Sequence, residues 1–204
     1  MNAYHGGLRW IMLALALAVT CAQAQDYRAE AIAMVKRDFH DRGQVSTGRL
    51  DNDAVQHICN RYANAPAPAL AKLMEAQQLA TVKFPADGKL LGNWKAGEDI
   101  AQSGRGLTWS DPPAVPAGGG CYNCHELAPQ EMSFGTLGPT LRNFGKLRGN
   151  TPEIQKYVFA KIYNSKGYNL CSAMPRFGHV GALSEQQIKD LVALLLDPDS
   201  PVNK

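Results

Sequence analysis

The sequence predicts an all-α fold, and three observations support that prediction. Apolar residues recur at helical spacing over residues 26–41, 52–62 and 69–80. Two further segments begin with residue combinations that are typical of helix starts. No segment shows the regular alternation of apolar and polar residues that a half-buried strand requires.

The first three predicted helices lie in the amino-terminal half of the chain. The helix over 52–62 carries apolar residues on one face, namely Val55, Ile58, Cys59 and Tyr62. The helix over 69–80 is rich in Ala, Leu, Met and Gln, which are good helix formers. Glycines and prolines separate the three segments, so we expect loops between them.

Three more helices are predicted in the carboxy-terminal half. The first covers 95–104, although Gly97 weakens it. The triplet T-P-E at 151–153 combines a hydroxyl N-cap, a proline in the first turn and an acid near the positive helix end. Ser184 and Gln187 form a capping-box pattern at the start of the last helix, which ends before Pro198.

Residues 1–24 are predicted to be a secretory signal peptide. Arg9 precedes an apolar run over 10–19, and the A-x-A triplet at 22–24 is typical of a signal-peptidase site. The run is about half the length that a membrane span needs, so no membrane anchor is expected. The mature chain is expected to start at Gln25 and, in a bacterium, to lie in the periplasm. A lipoprotein modified on Cys21 is the alternative, although the residues before Cys21 fit that processing poorly.

The composition is that of a soluble globular protein. The apolar fraction is 45% and the charged fraction 19%, with a formal net charge of +3. Lysines and arginines are scattered along the chain and form no basic stripe. Nucleic-acid binding is therefore not expected.

The run C-Y-N-C-H at residues 121–125 matches the C-x-x-C-H pattern of covalent haem attachment. On one helical turn, the sulfurs of Cys121 and Cys124 can reach the two vinyl groups along one edge of the porphyrin. His125 can then coordinate the iron through its neutral imidazole. The predicted cofactor is one covalently bound haem c with its iron.

Three other interpretations of the two cysteines are weaker. A thioredoxin-like redox site needs a βαβ setting, which the helical pattern does not provide. A zinc site needs a second pair of ligands at metal spacing, and the sequence has none. A disulfide between residues three apart would be strained.

Met174 is the first candidate for the second axial ligand of the iron. It lies in the run C-S-A-M-P-R-F-G at 171–178, where Pro175 fixes an extended path that can present a thioether. His179 is the runner-up, whereas His40 and His57 are expected at the surface. Histidine and methionine ligation together raise the reduction potential, which suits an electron carrier.

Two further features surround this predicted site. The run L-G-P-x-L at 137–141 places a backbone carbonyl near Pro139, which could accept the outer N–H of His125. Cys59 and Cys171 remain once the signal peptide and the haem cysteines are set aside. In the periplasm they are expected to form a disulfide between the amino-terminal part and the segment that carries Met174.

These residues resemble SoxX, the small haem subunit of the SoxAX sulfur-oxidation cytochrome complex. The resemblance covers about 94–196, is weaker over 51–91, and does not extend to 25–50. C-x-x-C-H and L-G-P-x-L are common to small class I cytochromes. The cysteine three residues before Met174, followed by P-R-F-G, is more specific.

The resemblance implies a class I cytochrome c domain at 93–204 and a helical extension at 25–92. It implies that His125 and Met174 are the axial iron ligands. It also implies that the chain pairs with a SoxA-like cytochrome and that the complex oxidatively joins thiosulfate to a cysteine of a SoxYZ-like carrier. This chain would be a subunit of that L-cysteine S-thiosulfotransferase and would pass electrons to a downstream acceptor, with no catalytic residue of its own.

Two other functions remain open from the sequence. A free-standing periplasmic shuttle for an oxidase or dehydrogenase needs only about 80 to 100 residues around its haem, so the extension argues against it. A peroxidase needs an open iron position, and ligation by Met174 would close that position.

Overall fold

The computed structural model describes residues 27–113 and 115–204, and these are all-α. Over these ranges the backbone forms seven α-helices and no strand, apart from one isolated bridge between Arg42 and Val45. The predicted signal peptide, including Cys21, lies outside the described residues. The helices are α1 Tyr27–Asp38, α2 Ala54–Arg61, α3 Pro68–Leu79, α4 Trp94–Gln102, α5 Phe144–Arg148, α6 Pro152–Tyr163 and α7 Glu185–Leu196.

The chain divides into two compact units between Asp41 and Arg42. Of the first unit, the structure describes 27–41, which contains α1. No side chain of α1 is buried, and Tyr27 is 69% exposed. The second unit, Arg42–Lys204, contains the other six helices, so residues 42–92 and 93–204 belong to one compact body.

The main core of the second unit is built around α7. Every residue of α7 from Leu191 to Leu196 is buried, as is Ile188 one turn earlier. Gly97 lets α4 cross α7 closely, because a Cβ at Gly97 would lie 2.2 Å from the carbonyl oxygen of Asp190. The glycine that weakens α4 as an isolated helix is thus required by its packing.

Helix α6 adds a second layer to this core. Its buried face is Val158, Phe159, Ala160 and Ile162, and Phe159 is fully buried. Tyr157 on the same helix is 39% exposed and makes an edge-to-face contact with the Tyr168 ring.

The helix starts follow local side-chain chemistry. The capping box of Ser184 and Gln187 is present, and Thr151 caps α6 as its sequence predicts. A second capping box, formed by Asp53 and Gln56 at the start of α2, was not predicted. Each box satisfies backbone N–H groups that the first helical turn leaves without partners.

Helices α2 and α3 form a smaller apolar cluster with the segment that follows α6. Val55, Cys59 and Leu170 are buried in it, and Met74 and Cys171 pack against them. Among the described residues, no helix is long and apolar enough to cross a membrane.

Candidate haem site

The C-x-x-C-H run begins in a tight turn that packs against the main core. Cys121–Asn123 form one 3-10 turn, and the carbonyl oxygen of Cys121 accepts hydrogen bonds from the backbone N–H of Cys124 at 3.1 Å and of His125 at 2.9 Å. Both cysteines have free thiols. The turn thus places two thiols and the imidazole within five consecutive residues, as the haem pattern requires.

Three consecutive glycines, at 118–120, precede this turn and form hydrogen bonds with the end of α4 and the residues just after it. The backbone N–H groups of Gly118, Gly119 and Gly120 donate to the carbonyl oxygens at 105, 100 and 103, each at 2.8 Å. A Cβ at Gly118 would lie 1.9 Å from the Ser103 carbonyl oxygen. Gly120 has a φ of +55°, in the left-handed region that glycine adopts at low cost. Glycine is therefore needed at these positions for the approach of the two backbones.

The imidazole of His125 lies against the run L-G-P-x-L. Its Nδ1 is 2.8 Å from the carbonyl oxygen of Pro139, which is the contact that the sequence pattern suggests. A Cβ at Gly138 would lie 2.2 Å from Cε1 of this ring, so the close contact requires a glycine. With Nδ1 donating to Pro139, the tautomer leaves the Nε2 lone pair free to bind iron.

A partly buried polar pair supports the same turn from α4. The hydroxyl of Tyr122 donates to Oε1 of Glu98 at 3.1 Å. Burial raises the pKa of Tyr122, and the Glu98 carboxylate raises it further. Sequence reasoning missed this pair, because Tyr122 and Glu98 are 24 residues apart and the haem-attachment pattern leaves the residue at position 122 unspecified.

The thiol of Cys121 lies in apolar surroundings. Burial raises its pKa to about 12, and the neighbouring Cys124 and Glu98 add to the effect. Reactive redox cysteines have low pKa values, so a neutral thiol of this kind disfavours a thioredoxin-like role.

Met174 lies in the segment between α6 and α7, residues 164–184, which we call the Met174 loop. The carbonyl oxygen of Met174 accepts a hydrogen bond from the Ser165 hydroxyl at 2.6 Å, and its N–H donates to the Ser172 hydroxyl at 3.1 Å. Met174 and Cys121 both pack against the main core, together with Leu141, Phe144 and Phe177. The two halves of the predicted site therefore adjoin the same apolar cluster.

His179, the alternative axial ligand, has partners elsewhere. Its Nδ1 is 3.2 Å from the Thr81 hydroxyl and 3.4 Å from the Asn164 amide nitrogen. Burial and the Arg176 charge lower the pKa of His179. These contacts hold the His179 ring beside the end of α3, and they favour Met174 over His179 as the second candidate iron ligand.

The Cys59–Cys171 disulfide is present. Its sulfurs are 2.05 Å apart and its Cα atoms 5.5 Å apart, and it joins residues separated by 112 positions. It connects α2 to the Met174 loop three residues before Met174, as the sequence predicts.

The donor set fits a covalently bound haem. Two free thiols, an imidazole oriented by a carbonyl and a methionine beside the same core are the groups that haem c uses. In residues 27–113 and 115–204, no three His, Cys, Asp or Glu side chains converge as a group that could hold a metal ion. The candidate iron ligands remain the His125 imidazole and the Met174 thioether, as expected from the sequence pattern.

The chain is similar to a known protein over more than half of its length. An "Uncharacterized lipoprotein" of Aquifex aeolicus (strain VF5) is 38% identical over 131 residues. The match covers 61% of this chain and 59% of that protein, so the chain spans less than two thirds of its relative's length. No protein-family model matches the sequence.

Proposed function

We propose that this chain is an exported monohaem c-type cytochrome and the electron-accepting subunit of a SoxAX-like complex. The observation that carries the cytochrome assignment is the contact between His125 Nδ1 and the Pro139 carbonyl, beside two free thiols. The sulfur-oxidation assignment rests on the resemblance of C-S-A-M-P-R-F-G, at 171–178, to SoxX.

Each residue of the site has a defined task in this proposal. Cys121 and Cys124 attach the haem through thioether bonds, and a bound haem c supplies one reversible electron between ferric and ferrous iron. The Pro139 carbonyl orients the imidazole of His125 and makes its Nε2 a stronger donor. Met174 would bind the iron together with His125, and this pair of ligands would raise the reduction potential relative to ligation by two histidines.

The reaction at sulfur belongs mainly to the partner. A SoxA-like cytochrome joins the terminal sulfur of thiosulfate to a cysteine thiol of a SoxYZ-like carrier. One S–S bond forms, the thiol proton is released and two electrons leave. This chain accepts them one at a time and passes them to a downstream acceptor. No side chain here takes a catalytic part, because two cysteines bind haem and the other two are joined in a disulfide.

Export is supported by the disulfide, which persists in an oxidising compartment. We propose secretion to the periplasm after cleavage before Gln25. The name of the Aquifex aeolicus relative favours a second possibility, lipid attachment at Cys21. The mass of the amino-terminal peptide distinguishes them: a free or cyclised Gln25 supports cleavage, and an acylated Cys21 contradicts it.

The experiment that tests the functional assignment is a pull-down from periplasm. The tagged, haem-loaded chain is recovered from cells grown on thiosulfate, and the bound proteins are identified. A second c-type cytochrome recovered in equal amount supports the complex. Recovery of the chain alone, still reducible by a general electron donor, contradicts the sulfur assignment and favours a free-standing shuttle.

A further inference from the structure

The segment 52–81, which contains α2 and α3, contacts the Met174 loop along much of its length. Besides the disulfide, Oε1 of Glu75 accepts the backbone N–H of Leu170 at 2.9 Å. Asn164 donates to the Thr81 hydroxyl at 3.0 Å. Both contacts precede Met174 in the chain, so they fix the approach to the methionine.

An ion pair fixes the chain after Met174. Nη1 of Arg176 lies 2.5 Å from Oδ2 of Asp53, and the Arg176 side chain is only 12% exposed. In the described part of the chain this buried nitrogen makes no hydrogen bond of regular geometry, so the ion pair with Asp53 is the contact that compensates its charge. Asp53 is therefore the charged partner of the Arg176 guanidinium.

The same carboxylate also acts on the charge of a second cationic group, Lys166. Lys166 donates to the carbonyl oxygen of Ser172, on the other side of Met174. Arg176 and Lys166 repel each other, which contributes to the lowered pKa of Lys166 after the larger effect of burial, and Asp53 opposes that repulsion. Met174 thus lies between Ser172, which accepts the hydrogen bond from Lys166, and Arg176, which pairs with Asp53. The charges of Asp53, Lys166 and Arg176 therefore act on the chain on both sides of Met174.

We propose that Asp53, which caps the start of α2, acts through Arg176 to position the Met174 thioether as an iron ligand. This inference rests on the proposed cytochrome function and assigns a task to the amino-terminal segment. Asp53 is a positioning residue, because it touches neither the iron nor the haem. Loss of its charge frees Arg176 and leaves two partly buried cations facing each other. The loop then samples positions in which the thioether is displaced.

The decisive measurement is the affinity of the ferric, haem-loaded chain for added imidazole, which competes with Met174 for the iron. The variant is Asp53→Asn, because asparagine caps a helix as well as aspartate does and removes only the charge. We expect imidazole to bind about fivefold to tenfold more tightly, the size expected for a partly buried ion pair. The red absorption band that reports methionine on ferric haem should weaken in parallel.

Two further variants separate positioning from general stability. Asp38→Asn removes the carboxylate of the Arg37–Asp38 pair, which has a 2.6 Å contact but lies in the first unit. Its imidazole affinity should equal that of the wild-type chain. Arg176→Lys retains the charge, so its affinity should lie between those of the wild type and Arg176→Gln. The variants Arg176→Lys and Arg176→Gln also test the positioning role if Asp53→Asn cannot be obtained as a folded protein.

Each outcome bears on one of the two proposals. An unchanged imidazole affinity in Asp53→Asn and Arg176→Gln, with the methionine band present in the wild type, overturns the positioning role alone. A wild-type chain that binds haem but lacks the methionine band overturns Met174 as ligand and, with it, the positioning role. A chain without covalent haem overturns the cytochrome assignment itself.

Discussion

The two loops that provide the proposed haem ligands are stabilised in different ways. The C-x-x-C-H loop, residues 103–143, is fixed mainly by backbone hydrogen bonds and by glycines that permit close approach. Gly119, Gly135 and Gly138 each donate to a nearby carbonyl at 2.8 Å. The Met174 loop also has backbone hydrogen bonds of its own, but its contacts with the segment 52–81 involve side chains: the Cys59–Cys171 disulfide, the Arg176–Asp53 ion pair and the Glu75 carboxylate.

This difference shows which ligand depends on the rest of the chain. Most contacts of the C-x-x-C-H loop come from within the loop or from the end of α4, so its geometry is largely local. The Met174 loop depends on α2 and α3, which lie about 100 residues earlier. Changes in 52–81 should therefore affect methionine ligation far more than histidine ligation.

The largest expected effect comes from removing the disulfide with the double substitution Cys59→Ala and Cys171→Ala. The bond joins residues 112 positions apart, and the loop-entropy model gives about 4–5 kcal/mol for such a loop. Urea unfolding of the haem-loaded chain, followed by circular dichroism, measures this loss. A change below about 1 kcal/mol would mean that the two segments associate equally well without the bond.

Gly138→Ala tests the C-x-x-C-H loop at its tightest contact. The added methyl group would overlap the His125 imidazole, so the ring must move away from the Pro139 carbonyl. We expect a loss of about 1–3 kcal/mol and a lower ratio of haem to protein in the pyridine haemochrome assay. Gly48→Ala is the control, because the nearest atom to its new Cβ would be the Ser46 hydroxyl oxygen at 3.5 Å, an ordinary contact distance. Equal haem loading in the two variants would contradict the role of Gly138.

Apart from the Cys59–Cys171 disulfide, the sequence predicted the local contacts much better than the distant ones. The His125–Pro139 contact follows from two motifs, and the Ser184–Gln187 box from four consecutive residues. The Asp53–Arg176 pair joins residues 123 positions apart in the sequence, so only the folded chain brings them together. Helix α5 was not predicted, because its five residues are too few to show a helical pattern. It also follows Asn143, whose φ of +56° lies in the left-handed region.

Ser165→Ala tests a single side chain of the Met174 loop. Ser165 is fully buried, and its loss leaves the Met174 carbonyl without that donor. We expect about 1 kcal/mol of destabilisation, together with tighter binding of imidazole to the ferric iron. Ser184→Ala should cost a similar amount by removing a helix cap, but it should leave the imidazole affinity unchanged. If both variants changed the affinity equally, the effect would reflect stability alone.

The smallest expected effect is a pH dependence that comes from His179. Burial lowers its pKa in the folded chain, so below its ordinary value of about 6.5 the unfolded chain takes up a proton first. The free energy of unfolding should therefore decrease as the pH falls from about 6.5 to the lower folded pKa. His179→Gln should flatten this part of the curve in urea unfolding at several pH values. An equal slope in the wild type and in His179→Gln would exclude His179 as the source of the pH dependence.

The central claim is covalent haem attachment through Cys121 and Cys124. It is tested most directly by the intact mass of the chain, expressed in a periplasm that contains the haem-attachment machinery and denatured before measurement. We predict a mass increase equal to one haem, which is lost when both cysteines are replaced by serine. A denatured wild-type chain with the mass of the unmodified polypeptide would contradict the cytochrome assignment.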